Sequence, residues 1–439
     1  MFYRIFLFIG FNILISQSFF NNTIGDETGF QSARSYAIGQ THFMNSNTSV
    51  ITLRNPARLS FIENSGEHKI FGLNFQVDFS SLGNLNSERR SIDLKDFFGD
   101  FLTEADYVSN NNFYIYNQFG FIGSFNLFSL NTAIGFSHGP WSSLNYNYNE
   151  EVRGSQSFDD GIIGIRDPIV GYHILSHDGE IDLSSAGLSI GLSEFISLGL
   201  SYNHLHDGSY GCRFLANQLS DSNENLASVL NKSEDIRFNG DSFISISTLF
   251  SLLNNIQFSL GYEGDALILS DNIASLNILD ALGLPSYIDY SNVSSLEYSS
   301  DGLFLQKPEK IKFGFSYIQG IRNSRLFSFE LIQNNFNNNQ AIKDYLKINM
   351  GIEYTNYDTV FRFGLSYKEP SFQALSPLTT LCFGTAKQYN NIVFDIGASY
   401  SYQAYNYIDV FPVDGDVRPD YDNVHESNWD IISTISYNF

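Results

Sequence analysis

Lys310, Lys312, Lys347 and Arg362, with Glu330 and Glu353, are the charged residues in this sequence whose spacing gives them a shared purpose. Each sits inside a run of alternating apolar and polar residues, Ile311-Lys312-Phe313 for example, and successive side chains of a strand point to opposite faces. All six therefore fall on the faces opposite their apolar neighbours, so several charges converge on one polar wall. Such a wall can hold an anionic group such as a carboxylate through charge-assisted hydrogen bonds, or it can be an ion-pair network that pins whatever lies against it. The remaining reactive residue types form no recognisable constellation. The eight histidines make no HExxH, there is no GxSxG, and Cys212 and Cys382 are far apart without metal-ligand spacing. No enzyme, cofactor or metal site is expected.

The elements that must carry this wall are strands. Phe71, Leu73, Phe75, Val77 and Phe79 alternate with Gly72, Asn74, Gln76 and Asp78, and the chain ends the same way, with Trp429, Ile431, Ile435, Tyr437 and Phe439 on one face. One greasy and one wet face is what a transmembrane β-barrel requires. Fourteen such segments recur: 69–79, 112–122, 125–136, 180–192, 195–206, 236–250, 255–269, 309–319, 324–335, 343–355, 359–369, 376–387, 390–404 and 427–439. Long connections (80–111, 137–179, 207–235, 270–308 and 405–426) alternate with tight turns such as Gly123-Ser124, Ser193-Glu194 and Asn390-Asn391. The expected fold is an all-β, antiparallel barrel of about 14 strands spanning 69–439, in the bacterial outer membrane and in contact with its lipid.

Composition agrees. There are 41 Phe and 26 Tyr among 439 residues, charged residues reach only 16%, and the net charge of −23 excludes nucleic acid as a partner. Residues 1–18 read as a signal peptide, with Arg4, an apolar stretch from Ile5 to Ile15 and a Ser16-Gln17-Ser18 cleavage site. No later uncharged apolar run is long enough for a membrane helix. Residues 19–68 are too mixed to face lipid and are expected inside the barrel as a plug. Three loop segments look helical: 213–232 with Leu215 and Leu219, 267–284 with Ile268, Ile273 and Leu276, and 92–108. Apolar faces on external loops are candidate binding surfaces, or a lid packed on itself.

Ala33-Arg34-Ser35-Tyr36-Ala37-Ile38-Gly39, followed by Asn55-Pro56-Ala57 just before the first strand, resembles the hatch of the FadL/TodX long-chain fatty-acid transporter family and its PorV-like relatives. The resemblance runs on through the strands to Phe439. It implies a plugged barrel that captures an apolar small molecule at its external loops and passes it inward. The fatty-acid carboxylate would meet Lys312, Lys347 or Arg362. It also implies a lateral exit at a kink in the third strand, for which Gly135, Gly139 and Pro140 are candidates, since proline cannot donate to a sheet ladder; the same residues also suit an ordinary strand end. The alternative function is PorV-like: external loops that hold secreted proteins for type IX secretion.

Overall fold

The computed structural model describes residues 26–62, 74–153, 169–219, 226–252, 255–270, 303–320, 323–336, 342–356, 359–372, 375–408, 411 and 421–439. In chain order the strands are β1 (Asp26–Glu27), β2 (Asn74–Lys95), β3 (Phe101–Leu127), β4 (Leu130–Ser143), β5 (Tyr146–Arg153), β6 (Ile169–Asp178), β7 (Glu180–Gly191), β8 (Ile196–Leu205), β9 (Gly208–Leu219), β10 (Leu226–Asn239), β11 (Ser242–Leu252), β12 (Ile256–Glu263), β13 (Ala266–Ser270), β14 (Leu303–Lys307), β15 (Glu309–Gln319), β16 (Asn323–Asn335), β17 (Tyr345–Asn356), β18 (Thr359–Lys368), β19 (Leu378–Tyr389), β20 (Ile392–Ile408) and β21 (Tyr421–Asn438).

Fourteen of these close into one antiparallel ring: β2–β4, β7, β8, β11, β12 and β15–β21. The seam is the pairing of first and last strands, from Gln76 opposite Asn438 to Ser91 opposite Asn423. Closure follows from the solvent: in hydrocarbon an open edge leaves a row of N–H and C=O groups without partners. Alternation sets the two surfaces. Ile311, Phe313, Phe361, Phe363, Ile431 and Ile435 are exposed on the outside, while Ser316, Asn349, Ser399 and Thr434 are buried inside. The C-terminal residue fastens the seam, with the Phe439 N–H donating to the Phe75 carbonyl at 2.9 Å and its ring packing 5.8 Å from that of Phe75.

The described parts of the long connections are sheet as well. β5, β6, β9, β10, β13 and β14 form a separate six-stranded sheet in the order β14-β13-β10-β9-β6-β5. This corrects the helical reading of the loops. Leu215 and Leu219 belong to the β9–β10 hairpin, opposite Asn231 and Leu226, and Ile268 lies in β13. The stretch 92–108 is the end of the β2–β3 hairpin. Ile273 and Leu276 lie outside the described residues. Outside the bilayer neither face of a strand needs to be apolar, so the period-two contrast disappears and scattered leucines mimic helical spacing. The first hairpin turn also differs: it is Phe128-Ser129, both in the left-handed region at φ 48° and 66°, while Gly123 and Ser124 continue β3 opposite Phe75 and Asn74.

A buried apolar cluster ties this outer sheet to the lumen. Ile268, Tyr210 and Phe238 from the sheet meet Phe30, Val50 and Leu53 from the N-terminal segment, with Trp141 and Leu183 between them.

Candidate functional site

Residues 26–62 fill the lumen. Three short helical turns (Ala33–Ala37, His42–Asn45 and Ile51–Arg54) and a 3₁₀ turn (Pro56–Phe61) carry many fully buried side chains, including Tyr36, Ile38, Met44, Ile51 and Leu59. Ser32 caps the first turn, its Oγ accepting from the Ser35 N–H. Pro56 opens the 3₁₀ turn at its first position, where its missing N–H costs nothing.

Asn55-Pro56-Ala57 is the anchor of this plug. Asn55 Nδ2 donates to the Phe43 carbonyl at 2.8 Å and to Ser259 Oγ at 3.0 Å, joining two plug turns to β12. The Ala57 N–H donates to Ser247 Oγ at 2.8 Å, and its carbonyl accepts from Ser197 Oγ at 2.6 Å and Ser189 Oγ at 2.9 Å. Three wall strands thus satisfy both backbone groups of one plug residue. Inward glycines let the backbones come this close: a Cβ on Gly199 would lie 2.0 Å from the Ala57 nitrogen, and one on Gly364 would lie 2.1 Å from the Gly39 nitrogen.

The charged wall divides into two groups. On one, Arg362 lies between Glu353 and Asp395, 2.6 Å from each, and Arg34 of the plug reaches Glu353 at 2.8 Å. Two cations meet two carboxylates, so this group is balanced and pins the plug. On the other, Glu263 gathers Lys307 at 2.9 Å, Lys310 at 3.8 Å and Lys312, while Glu27 of the plug takes Lys310 and Arg54 at 2.6 Å each. Here four cations meet two carboxylates. Nearby, Lys347 Nζ donates to the neutral amide Oε1 of Gln40 at 2.7 Å. The sequence-level grouping of Lys312, Lys347 and Arg362 therefore splits: the lysines line an open space, and Arg362 does not. Glu27 and Arg54 were missed because the sequence shows no periodicity in the plug from which a side-chain direction can be read, whereas the inward direction of Glu263 was available from the alternation of Phe258, Leu260 and Tyr262 in β12.

That space is a cavity of about 210 Å³ between plug and wall, lined by Lys310, Lys312, Lys347 and Lys368 together with apolar Phe43, Leu82, Ile332 and Leu378. A second cavity of about 180 Å³ shares Glu27, Tyr345, Lys368 and Leu378 with it and continues past Phe336 and Phe372.

At the third barrel strand, the β3–β4 ladder runs from Leu127 opposite Leu130 to Phe119 opposite His138 and stops there. β4 continues, shifting register against β7 between Pro140 and Ser142 and pairing at its end with plug strand β1. Gly139 and Pro140 therefore lie past the end of the β3–β4 ladder, and Gly135 lies within it. Gly135 lies in regular ladder opposite Ile122 and Gly187, and a Cβ there would lie 2.3 Å from Thr52 Oγ1, so it gives the plug room. The plug bonds to both strands here: the Gln31 N–H donates to Gln118 Oε1 at 3.1 Å, Gln118 Nε2 donates back to the Gln31 carbonyl, and the Thr28 N–H donates to the Trp141 carbonyl at 3.2 Å.

The chain matches no protein-family model and no curated protein. Solved structures do match. A FadL homologue of Pseudomonas aeruginosa aligns at a TM-score of 0.56 and 11% identity, over 94% of this chain and 99% of the other. The Pseudomonas putida toluene transporter TodX aligns at 0.51 and 13% identity, over 95% and 100%. At such identities the likeness is one of architecture. The closed 14-stranded ring, its apolar outer belt and the N-terminal segment within it give this chain the FadL/TodX fold of outer-membrane barrels.

Proposed function

We propose that the chain is a passive outer-membrane channel for hydrophobic small molecules, and that its preferred cargo is an apolar chain ending in a carboxylate, as in a long-chain fatty acid. The supporting observation is the half-apolar cavity whose lysine cluster outnumbers its carboxylates. A neutral hydrocarbon gains nothing from that excess of charge, whereas a carboxylate is held by charge-assisted hydrogen bonds. Lys347, held by an amide hydrogen bond to Gln40 and in no ion pair among the described residues, is assigned to the carboxylate, and Phe43, Leu82, Ile332 and Leu378 to the acyl chain. Toluene transport in a structural neighbour agrees with the apolar class of cargo. Gly139 and Pro140 mark the lateral exit, which opens when the Gln31–Gln118 hydrogen bonds part.

The test is binding of palmitate and of methyl palmitate to the purified protein and to Lys347→Gln. The expected result is a loss of about tenfold for the acid and none for the ester, the size of one hydrogen bond to a charged group. Equal effects on acid and ester, or none on either, would contradict the assignment.

A further inference from the structure

The β2–β3 hairpin continues beyond its ladder with β21 and ends in solvent with its apolar side chains outward. The β2–β21 ladder stops at Ser91 opposite Asn423, while β2 and β3 stay paired to Lys95 opposite Phe101. At the tip Phe97 and Phe98 are 97% and 85% exposed, and Leu94, Phe101 and Leu102 are exposed beside them. The turn is built, not frayed. Asp96 Oδ1 accepts from the N–H groups of Phe98 and Asp100 at 2.9 Å each, the Asp96 N–H donates to the Asp100 carbonyl at 2.8 Å, and Gly99 supplies the left-handed residue at φ 87°. Phe97 and Phe98 meet edge to face at 5.6 Å, so the turn presents two large rings side by side.

Two observations select what covers them. The outward face of β3 turns polar after Phe113, at Asn111 and Ser109, and from Phe113 to Phe101 the chain extends roughly 40 Å at about 3.3 Å per residue. The tip is therefore well above the bilayer of its own membrane. Around it, Asp93, Asp96, Asp100 and Glu104 stand against Lys95, while Asp106 further down is paired with Arg89 at 3.2 Å. An apolar centre with an acidic rim complements an apolar cleft rimmed by lysine or arginine.

We propose that the tip from Leu94 to Leu102 is a docking element for a protein at the cell surface, one that receives Phe97 and Phe98 in an apolar cleft with a basic rim. The proposal does not depend on which cargo the lumen carries. It rests on exposure, the fixed turn and charge.

The experiment places p-benzoylphenylalanine at Phe97, Phe98 or Phe101 of the full chain in intact cells, with Ser109 as the control position, and identifies adducts after irradiation. Any protein found is then purified and its affinity for the full chain measured. The expected result is one heterologous protein crosslinked from the three tip positions and not from Ser109. Its binding should weaken about tenfold with Asp100→Lys and Glu104→Lys together, and as salt rises. These two substitutions leave Asp96 and its turn intact, and folding is checked by heat-modifiable migration. Adducts only to lipid, only to a second copy of the chain, or to no molecule would overturn the proposal, as would binding indifferent to the charge reversal.

Discussion

Lys347 and Arg362 lie on paired strands and are both cations of the inner face, the first half-buried and the second buried, yet they meet different surroundings. Arg362 has two carboxylates at 2.6 Å, so removing it strands buried charge, whereas Lys347 has an amide and an open cavity. Alternation placed both on the inner face correctly, because a strand's side-chain direction depends only on parity. Which of them is already neutralised depends on Arg34, Glu27 and Arg54 of the plug, and no pattern in the sequence orients those. Asn55 makes an equally local case: Asn55→Ala removes donors from the buried Phe43 carbonyl and Ser259 hydroxyl and should cost about 1–3 kcal/mol. The check is earlier loss of hydrogen-exchange protection in residues 42–61, with the barrel strands unchanged. In the outer sheet, the His173 ring stacks on Phe411 at 4.6 Å, and burial pulls its pKa from 6.5 to about 4. Above pH 6.5 the ring is neutral whether its strand is packed or open. Below that the open form takes up a proton that the packed ring refuses until about pH 4, so packing around β6 should weaken as pH falls across this window. Hydrogen exchange in 169–178, corrected for its intrinsic pH dependence, should report this, and His173→Phe should remove it.

At the scale of elements, two contacts set how plug and outer sheet are held. Arg90 lies 2.7 Å from Glu88 and 3.3 Å from Asp422 and sits over the Tyr148 ring at 4.9 Å, joining β2, β21 and β5, with Arg90 and Glu88 fully buried and Asp422 nearly so. Arg90→Met leaves two buried carboxylates without their cation, a loss of about 3–5 kcal/mol for a buried pair. Limited proteolysis should then cut β5 and β21 at their outer ends while the barrel resists. Gly199 makes the complementary point for the plug. With a Cβ only 2.0 Å from the Ala57 nitrogen, Gly199→Val should drive the 3₁₀ turn off the wall, and single-channel conductance should rise from a closed baseline. The spacing of apolar residues located all fourteen barrel strands, including the diluted β7 and β19, because lipid demands an apolar outer face. It missed β5, β6, β9, β10 and β14, because strands in water are under no such demand and are specified by partners distant in sequence.

For the whole molecule, the barrel's fold was legible from both ends of the sequence, since the alternation near Phe75–Phe79 and in 429–439 marks the two strands that meet at the seam. The plug was legible as a stretch unfit for lipid and from the hatch-like Ala33–Gly39 and Asn55-Pro56-Ala57; its role as half of the charged wall appears when Glu27 and Arg54 stand among the lysines. The filled lumen fits the proposed gated conduit better than an open pore, so passage of cargo is what must be measured. The most direct measurement is initial uptake of labelled palmitate into proteoliposomes containing the wild-type protein, Lys347→Gln, or a variant with cysteines at Gln31 and Gln118, oxidised to close the proposed exit at Pro140. The expected result is uptake well above protein-free liposomes for the wild type, a reduced rate for Lys347→Gln, and a return to the protein-free rate for the oxidised variant that is reversed by reduction. Wild-type uptake no faster than in protein-free liposomes would contradict the proposed function outright.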